Sequence, residues 1–392
     1  MLNTPFSPWP SFSAEEADAA RDVLLSNRVN YWTGQQCREF EREFAQFAGA
    51  EYAIALANGT VALDLALKVL GVGVGDEVVV TSRTFLASVS SIVNAGATPI
   101  FADVDRDSQN ITPESVAAVL SPKTKAVICV HLAGWPCDML GMRKLADTEG
   151  LFLIEDCAQA HGAQFDGKPV GGLSDVGCWS FCQDKIMTTG GEGGMVTTNN
   201  RDLWSAMWAF KDHGKSWEAV YEREHPPGFR WLHESIGTNW RLTEMQAAIG
   251  RIQLKRMPKW FSARQSNALQ IWAAASTCGV FRVPELPASI EHAAYKCYFF
   301  VKTEYLAKGW DRDRIMAEIN ERGVPCFSGS CSEVYLEKCI QDINLAPRRR
   351  LPIAKELGET SLMFLVHPTL TVEEMFKTCR TIQEVATLAL MD

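Results

Sequence analysis

The segment GCWSFCQDKIMTTGGEGGMVTT (177–198) places Lys185 between an apolar, strand-like run and a glycine-rich stretch. Most lysines are solvated surface charges. This one has no carboxylate-rich helix around it, and the glycines after it let backbone approach a ligand closely. A lysine amine condenses with a carbonyl to a Schiff base, most readily when its pKa is lowered. A second chemical group, Asp156, ends the apolar run LFLIED (151–156). Ligands of open α/β sheets gather at the carboxyl ends of strands. A carboxylate at such a place is either functional or a helix cap. Glu155 precedes it on the opposite face of the strand, so only one of the two points into a site. A Schiff-base lysine and an aspartate together are what pyridoxal phosphate asks of a protein, the aspartate keeping the ring nitrogen protonated.

Asn58-Gly59-Thr60 follows the apolar run AIALA and opens the helical pattern VALDLALKVL. A helix N-terminus offers unpaired N–H groups and the positive end of the dipole, which suits a phosphate. Such a turn serves either as a phosphate cradle or as a helix cap alone. GVGVGDEVVV (71–80) has dinucleotide-like glycine spacing, but the glycines follow a helix and precede a strand. That order is the reverse of the dinucleotide fingerprint, and the stretch reads as a helix C-cap and turn.

These residues need a scaffold, and the hydrophobic periodicity supplies one. A capping box at Ser13–Glu16 opens a helix over 13–26, and Phe40, Phe44 and Phe47 mark a second over 35–48. Apolar runs near 52–57, 77–81, 98–102, 125–131, 151–155, 176–181 and 194–198 read as strands. Helical patterns near 60–70, 85–95, 113–120 and 139–149 separate most of the first five. The alternation predicts an α/β fold with a mainly parallel seven-stranded sheet covered on both faces. After residue 200 come a helix near 201–212, a polar and aromatic stretch over 213–240, and a helix over 241–257 that ends at Pro258. Strands near 295–303 and 361–366, with helices near 311–322, 352–358 and 372–390, make a smaller C-terminal α+β domain. The division expected is 1–250 for the large domain and 251–392 for the small one.

Bulk properties narrow the partners. With 47% hydrophobic and 22% charged residues, the 392-residue chain is neither disordered, collagen-like nor a coiled coil. The net charge of −9, with no basic run, argues against nucleic acid or an anionic membrane as a partner. No apolar stretch is long enough to span a bilayer. The start of the chain lacks a basic segment followed by an apolar one, so no signal peptide is expected. The twelve cysteines sit mostly in apolar runs and show no CxxC spacing, so no metal is called for. Buried, reduced thiols in a cytoplasmic protein are the expectation.

The ordered set ANGTVALDLAL, EDCAQAHGA, SFCQDKIMTTGGEGGMVTT and GTNWRLTEMQAAIG resembles the DegT/DnrJ/EryC1/StrS family of pyridoxal-phosphate-dependent sugar aminotransferases. The resemblance covers nearly the whole chain. It implies an aspartate-aminotransferase-like fold (fold type I of pyridoxal-phosphate enzymes) and pyridoxal 5'-phosphate as cofactor. It implies that Lys185 forms the Schiff base and shuttles a proton, and that Asp156 pairs with the pyridine nitrogen. By the same resemblance Gln159 contacts the phenolic oxygen, and Gly59, Thr60 and Ser180 bind the phosphate. Phe85 matches an aromatic that stacks on the pyridine ring; the lesser alternative is a core residue on an apolar helix. Asn239 matches a residue that reaches the phosphate from the neighbouring subunit, which implies a homodimer with shared active sites. Read without the resemblance, it is a turn residue at the start of the helix before Leu242. Arg241 is a further candidate for meeting phosphate charge.

The function implied is transfer of an amino group from L-glutamate to a keto group, C3 or C4, of a nucleotide-linked sugar, in surface-glycan or antibiotic sugar biosynthesis. One branch of the family carries histidine in place of the lysine and dehydrates sugars; Lys185 argues against that branch. The same scaffold also serves an aromatic-acid synthase or a non-catalytic regulatory protein, and both readings stay open at the level of sequence. Many relatives carry a histidine motif in the small domain, whereas this chain reads RGVPCFSGSCSEVYLEK (322–338). Ser328, Ser330, Cys331 and Glu333 there either line the substrate side or form a plain loop.

Overall fold

The computed structural model describes residues 5–225, 227–228 and 230–391. Seven strands form one sheet: β1 (Tyr52–Leu56), β2 (Glu77–Thr81), β3 (Thr98–Ala102), β4 (Thr124–Val130), β5 (Phe152–Asp156), β6 (Val176–Ser180) and β7 (Gly194–Thr198). Their order is β1-β7-β6-β5-β4-β2-β3. β7 is antiparallel to β1 and β6, and the remaining pairs are parallel. Each strand lies within a residue of its expected run. β-branched runs such as Val78, Val79 and Val80 are fully buried, as a sheet covered on both faces requires.

The covering helices follow the expected alternation. They are α1 (Ala14–Leu25), α2 (Gln36–Phe47), α3 (Gly59–Val69), α4 (Ala87–Asn94), the short α5 (Pro113–Ala117), α6 (Met139–Glu149), α7 (Arg201–Lys211) and the short α8 (Trp217–Tyr221). The capping box at Ser13 and Glu16 is formed, with Ser13 N–H donating to the Glu16 carboxylate at 2.7 Å. The 71–75 glycines make the turn from α3 into β2. Gly71 and Gly75 hold φ of 71° and 94°, left-handed values that favour glycine.

The structure corrects one expectation. The helix after residue 240 does not stop at Pro258; α9 runs from Glu244 to Ser276 with the proline inside it. An interior proline costs about 3 kcal/mol, through a lost hydrogen bond and a clash. Tertiary packing offsets that cost: α9 lies against α1 and α2 on one side of Pro258 and against the small domain beyond it. The 250/251 division therefore falls inside one helix.

The smaller sheet contains β8 (Phe281–Arg282), β9 (Cys297–Val301), β10 (Cys326–Phe327) and β11 (Ser361–Phe364), ordered β8-β9-β11-β10 and antiparallel throughout. Helices α10 (Arg312–Glu321), α11 (Lys338–Gln341), α12 (Pro352–Thr360) and α13 (Val372–Ala389) accompany it. Ile271 of α9, Phe299 of β9, Ile315 of α10 and Ile382 of α13 share its core. Among the described residues no helix is long and apolar enough to cross a membrane. All twelve cysteines are free thiols.

Candidate active site

A cavity of about 790 Å³ opens where the parallel strands end. Its lining comes from the segments after β1 (58–61), β2 (84–88), β5 (156–159) and β6 (180–185), closed on the far side by β9 and the 329–330 segment. The carboxyl edge of the sheet thus delivers separate loops to one place, as open α/β sheets do.

Asp156 ends β5 and is 7% exposed. Ser88 Oγ donates to its Oδ2 at 2.8 Å, and Ala158 N–H donates to Oδ1 at 3.1 Å. Thr84 Oγ1 lies 2.8 Å from Ser88 Oγ, extending the network. Burial pushes the Asp156 carboxyl up, against the pull of these hydrogen bonds and of Lys185 and His131. Such a carboxylate is stabilised further by a cation arriving in the cavity. Glu155, on the opposite face, is fully buried. Its oxygens accept from Gly171 N–H and Leu173 N–H, and it lies 3.1 Å from His131 Nε2. His131, Glu155 and Cys157 are close enough to hold a metal ion. These hydrogen bonds, and the one from Cys137 N–H to His131 Nδ1, already occupy the histidine and the carboxylate structurally. Gln159 accepts from Ala133 N–H through Oε1 at 2.8 Å, which fixes the carbonyl end of its amide.

Lys185 sits in the loop between β6 and β7. Its N–H donates to Cys182 O at 3.0 Å, and its carbonyl accepts from Trp9 Nε1 at 2.8 Å. Lys185 Nζ lies 3.7 Å from Asp184 Oδ1 and 5.4 Å from the centre of the Tyr295 ring. Tyr295 OH donates to Asp184 Oδ2 at 2.5 Å. Burial pushes the Asp184 carboxyl up, but Lys185, Tyr295 and Lys296 more than offset it, so it titrates below the ordinary range. The cluster holds a partly buried amine beside a carboxylate that stays ionised.

Asn58 caps α3, its Oδ1 accepting from Val61 N–H at 3.0 Å. The first amides of α3, at Gly59 and Thr60, have no acceptor within the helix and line the cavity. A Cβ on Gly59 would stand 2.6 Å from Ser180 Cβ, so only glycine lets the helix start come this close to the end of β6. Phe85 precedes α4 and is 70% exposed, facing the cavity instead of the core. A large aromatic left uncovered in a cleft is a stacking surface.

The donor set fits pyridoxal phosphate: an amine, a buried carboxylate, an exposed aromatic, and a helix start with a hydroxyl beside it. Lys185, Asp156, Gly59, Thr60, Phe85, Gln159 and Ser180 all line the one cavity. Asn239 does not. It is exposed, in an extended segment bridged to Asp212, and α9 starts only after Thr243. A place in the first turn of the helix is therefore excluded. Arg241 is paired within the chain, its Nη1 donating to Asp212 at 2.6 Å. Of the 322–338 segment, Ser330 reaches the cavity, whereas Glu333 is taken by Arg350 and Tyr335. Ser88, Tyr295, Lys296 and Tyr298 also line the site and carried no signal in sequence. Only the run of polar residues TSRT before Phe85 hinted at a segment of this kind.

The sequence model of the DegT/DnrJ/EryC1/StrS aminotransferase family matches residues 10–383. The chain belongs to this family. Two relatives resemble it along nearly their full length. It is 33% identical over 375 residues to GDP-perosamine synthase of Escherichia coli O157:H7, covering 96% of each chain. It is 33% identical over 375 residues to the UDP-N-acetyl-3-dehydro-alpha-D-glucosamine 3-aminotransferase of Acidithiobacillus ferrooxidans, covering 93% of this chain and 94% of that one. Among solved structures, an aminotransferase from Psychrobacter cryohalolentis is 62% identical with a TM-score of 0.96, over 98% of this chain and 99% of that one. The seven-stranded α/β architecture is thus that of the DegT-type aminotransferases.

Proposed function

We propose that the protein is a pyridoxal-phosphate-dependent aminotransferase that moves an amino group from L-glutamate to a C3 or C4 keto group of a nucleotide-linked sugar. The product would feed surface-glycan or antibiotic sugar biosynthesis. The observation that carries this reading is the meeting of Lys185 and Asp156 in one cavity with Phe85 and the start of α3. Relatives whose names specify GDP- and UDP-linked sugars support the substrate class.

When bound, pyridoxal phosphate supplies a ring that accepts electron density from the substrate carbon. Lys185 Nζ would hold it covalently and would carry a proton to and from that carbon. Asp156, oriented by Ser88 and Ala158 N–H, holds a proton on the ring nitrogen. Gln159 Nε2 would be left for the phenolic oxygen, and Phe85 would offer the ring a stacking surface. Gly59, Thr60 and Ser180 receive the phosphate, joined by the partner subunit's Asn239 in a homodimer. Residues 1–250 serve as the cofactor domain and 251–392 close the substrate side.

The test is an amine-transfer assay with L-glutamate over UDP-, dTDP- and GDP-linked 3-keto and 4-keto sugars. Transfer to at least one of them is expected. No transfer to any, together with a visible spectrum that glutamate leaves unchanged, overturns the reading.

A further inference from the structure

The small-domain wall of the cavity has charges without partners. Lys296, immediately before β9, lines the cavity. Its ammonium makes no hydrogen bond or ion pair among the described residues, and rests against the Tyr295 ring at 4.8 Å from the ring centre. Behind it lies Arg264 of α9, 1% exposed. Arg264 has one hydrogen bond, Nη1 to the Tyr295 carbonyl at 3.4 Å, while its Nε and Nη2 have no partner. Among the described residues no carboxylate pairs with Arg264; its guanidinium lies over the Trp9 ring at 4.9 Å. The carboxylate that acts on Lys296 is Asp184, which is already engaged by Tyr295 and Lys185.

Burying a cation without counter-charge is unfavourable. Both groups register that cost: burial lowers Lys296 to about 8 and Arg264 to about 9. An anion entering the cavity would remove it. Lys185 and Lys296 are the two cations that line the cavity among the described residues. Lys185 is committed to the cofactor in the reading above, on which this inference rests. Lys296 alone is left to meet the substrate.

We propose that Lys296, backed by Arg264, is the specificity-determining group that binds an oxyanion of the substrate on the small-domain wall. The oxyanion is a carboxylate of the amino donor or the diphosphate of the sugar nucleotide, and the two sources separate experimentally.

The experiment uses the full chain loaded with pyridoxal phosphate, as wild type, Lys296→Met and Lys296→Arg. L-Glutamate is titrated through the visible spectrum, and UDP by calorimetry. If the donor carboxylate is the anion, Lys296→Met raises the half-saturating glutamate concentration at least roughly tenfold and leaves the rate at saturation and the UDP affinity as they were. If the diphosphate is the anion, the UDP affinity falls by that factor and the glutamate titration does not move. In either case Lys296→Arg restores most of the loss. Unchanged affinities for both ligands in Lys296→Met overturn the proposal, as does a wild type that binds neither. Loss of both, with a lower melting temperature that Lys296→Arg fails to restore, assigns Lys296 to packing and overturns it too. A wild type that shows both titrations but aminates no sugar on the panel sinks the functional reading and leaves the Lys296 result standing.

Discussion

Asp156, at the end of a strand of the large sheet, and Lys296, beside a strand of the smaller one, line the same cavity, and their surroundings differ in kind. Around Asp156 the polar atoms are partnered: Ser88 and Ala158 N–H hold the carboxylate, and Ala133 N–H holds the Gln159 carbonyl. Around Lys296 the charges rest on aromatic faces, and two nitrogens of Arg264 have no acceptor. A wall whose hydrogen bonds are made before anything binds is preorganised for a resident group. A wall left with unmet charge is built for a visitor that brings the counter-charge and leaves again. On the function and the inference proposed above, the difference separates holding a cofactor from admitting substrates.

Four changes would break or sharpen this contrast. Lys185→Ala removes the covalent anchor and should lower kcat by at least roughly 10³-fold, with the visible band of the lysine-bound cofactor lost. Retention of both would show that the partnered wall holds no cofactor through Lys185. Asp156→Asn should cost roughly 10²–10³-fold in kcat while the protein melts normally; a loss under about threefold would remove Asp156 from the chemistry. Gly59→Ala puts a Cβ 2.6 Å from Ser180 Cβ. It should weaken cofactor binding about tenfold and lower stability by about 1–3 kcal/mol, read by equilibrium dialysis and urea unfolding. Ser88→Ala should lower stability by only about 1 kcal/mol and kcat severalfold, because Ala158 N–H still holds the carboxylate.

A pH measurement refines the same wall. Burial raises the folded pKa of Asp156, so its ionisation opposes folding of the cofactor-free protein. That opposition is absent below the unfolded carboxylate pKa and complete above the folded one. Urea unfolding of apoprotein should therefore show Asp156→Asn gaining stability relative to wild type as pH rises through the carboxylate range. A difference independent of pH would mean that the carboxyl titrates alike in both states.

The main groups of the partnered wall were legible in the sequence, though not Ser88, and the charged wall was not. Lys185, Asp156 and Gly59 each follow an apolar run, and period and length identify strands whose carboxyl ends must share an edge. Lys296 and Tyr298 lie in or beside an apolar strand of the small domain, with no glycine or turn to mark a site. Their meeting with Lys185 is set by tertiary packing across more than a hundred residues. Pro258 misled for a related reason: local propensity ends a helix there, while contacts on both sides of the proline carry it on to Ser276. Phe85 needed its exposure to be known before its role could be separated from core packing.

Trp9 has a bearing on how the molecule is made. Its indole N–H donates to the Lys185 carbonyl, and its ring stacks 6.0 Å from His367. Thr369 Oγ1 donates to the carbonyl of Pro8, and Ser7 N–H to Glu374. A ribosome delivers these pieces in the order Trp9, Lys185, His367, at well-separated times. Until His367 and Thr369 have left the exit tunnel, the strap that steadies the lysine loop has only part of its support, from Trp260 and Arg264 of α9. The full set of contacts around the strap is completed late in synthesis, after the strands of the large sheet have emerged.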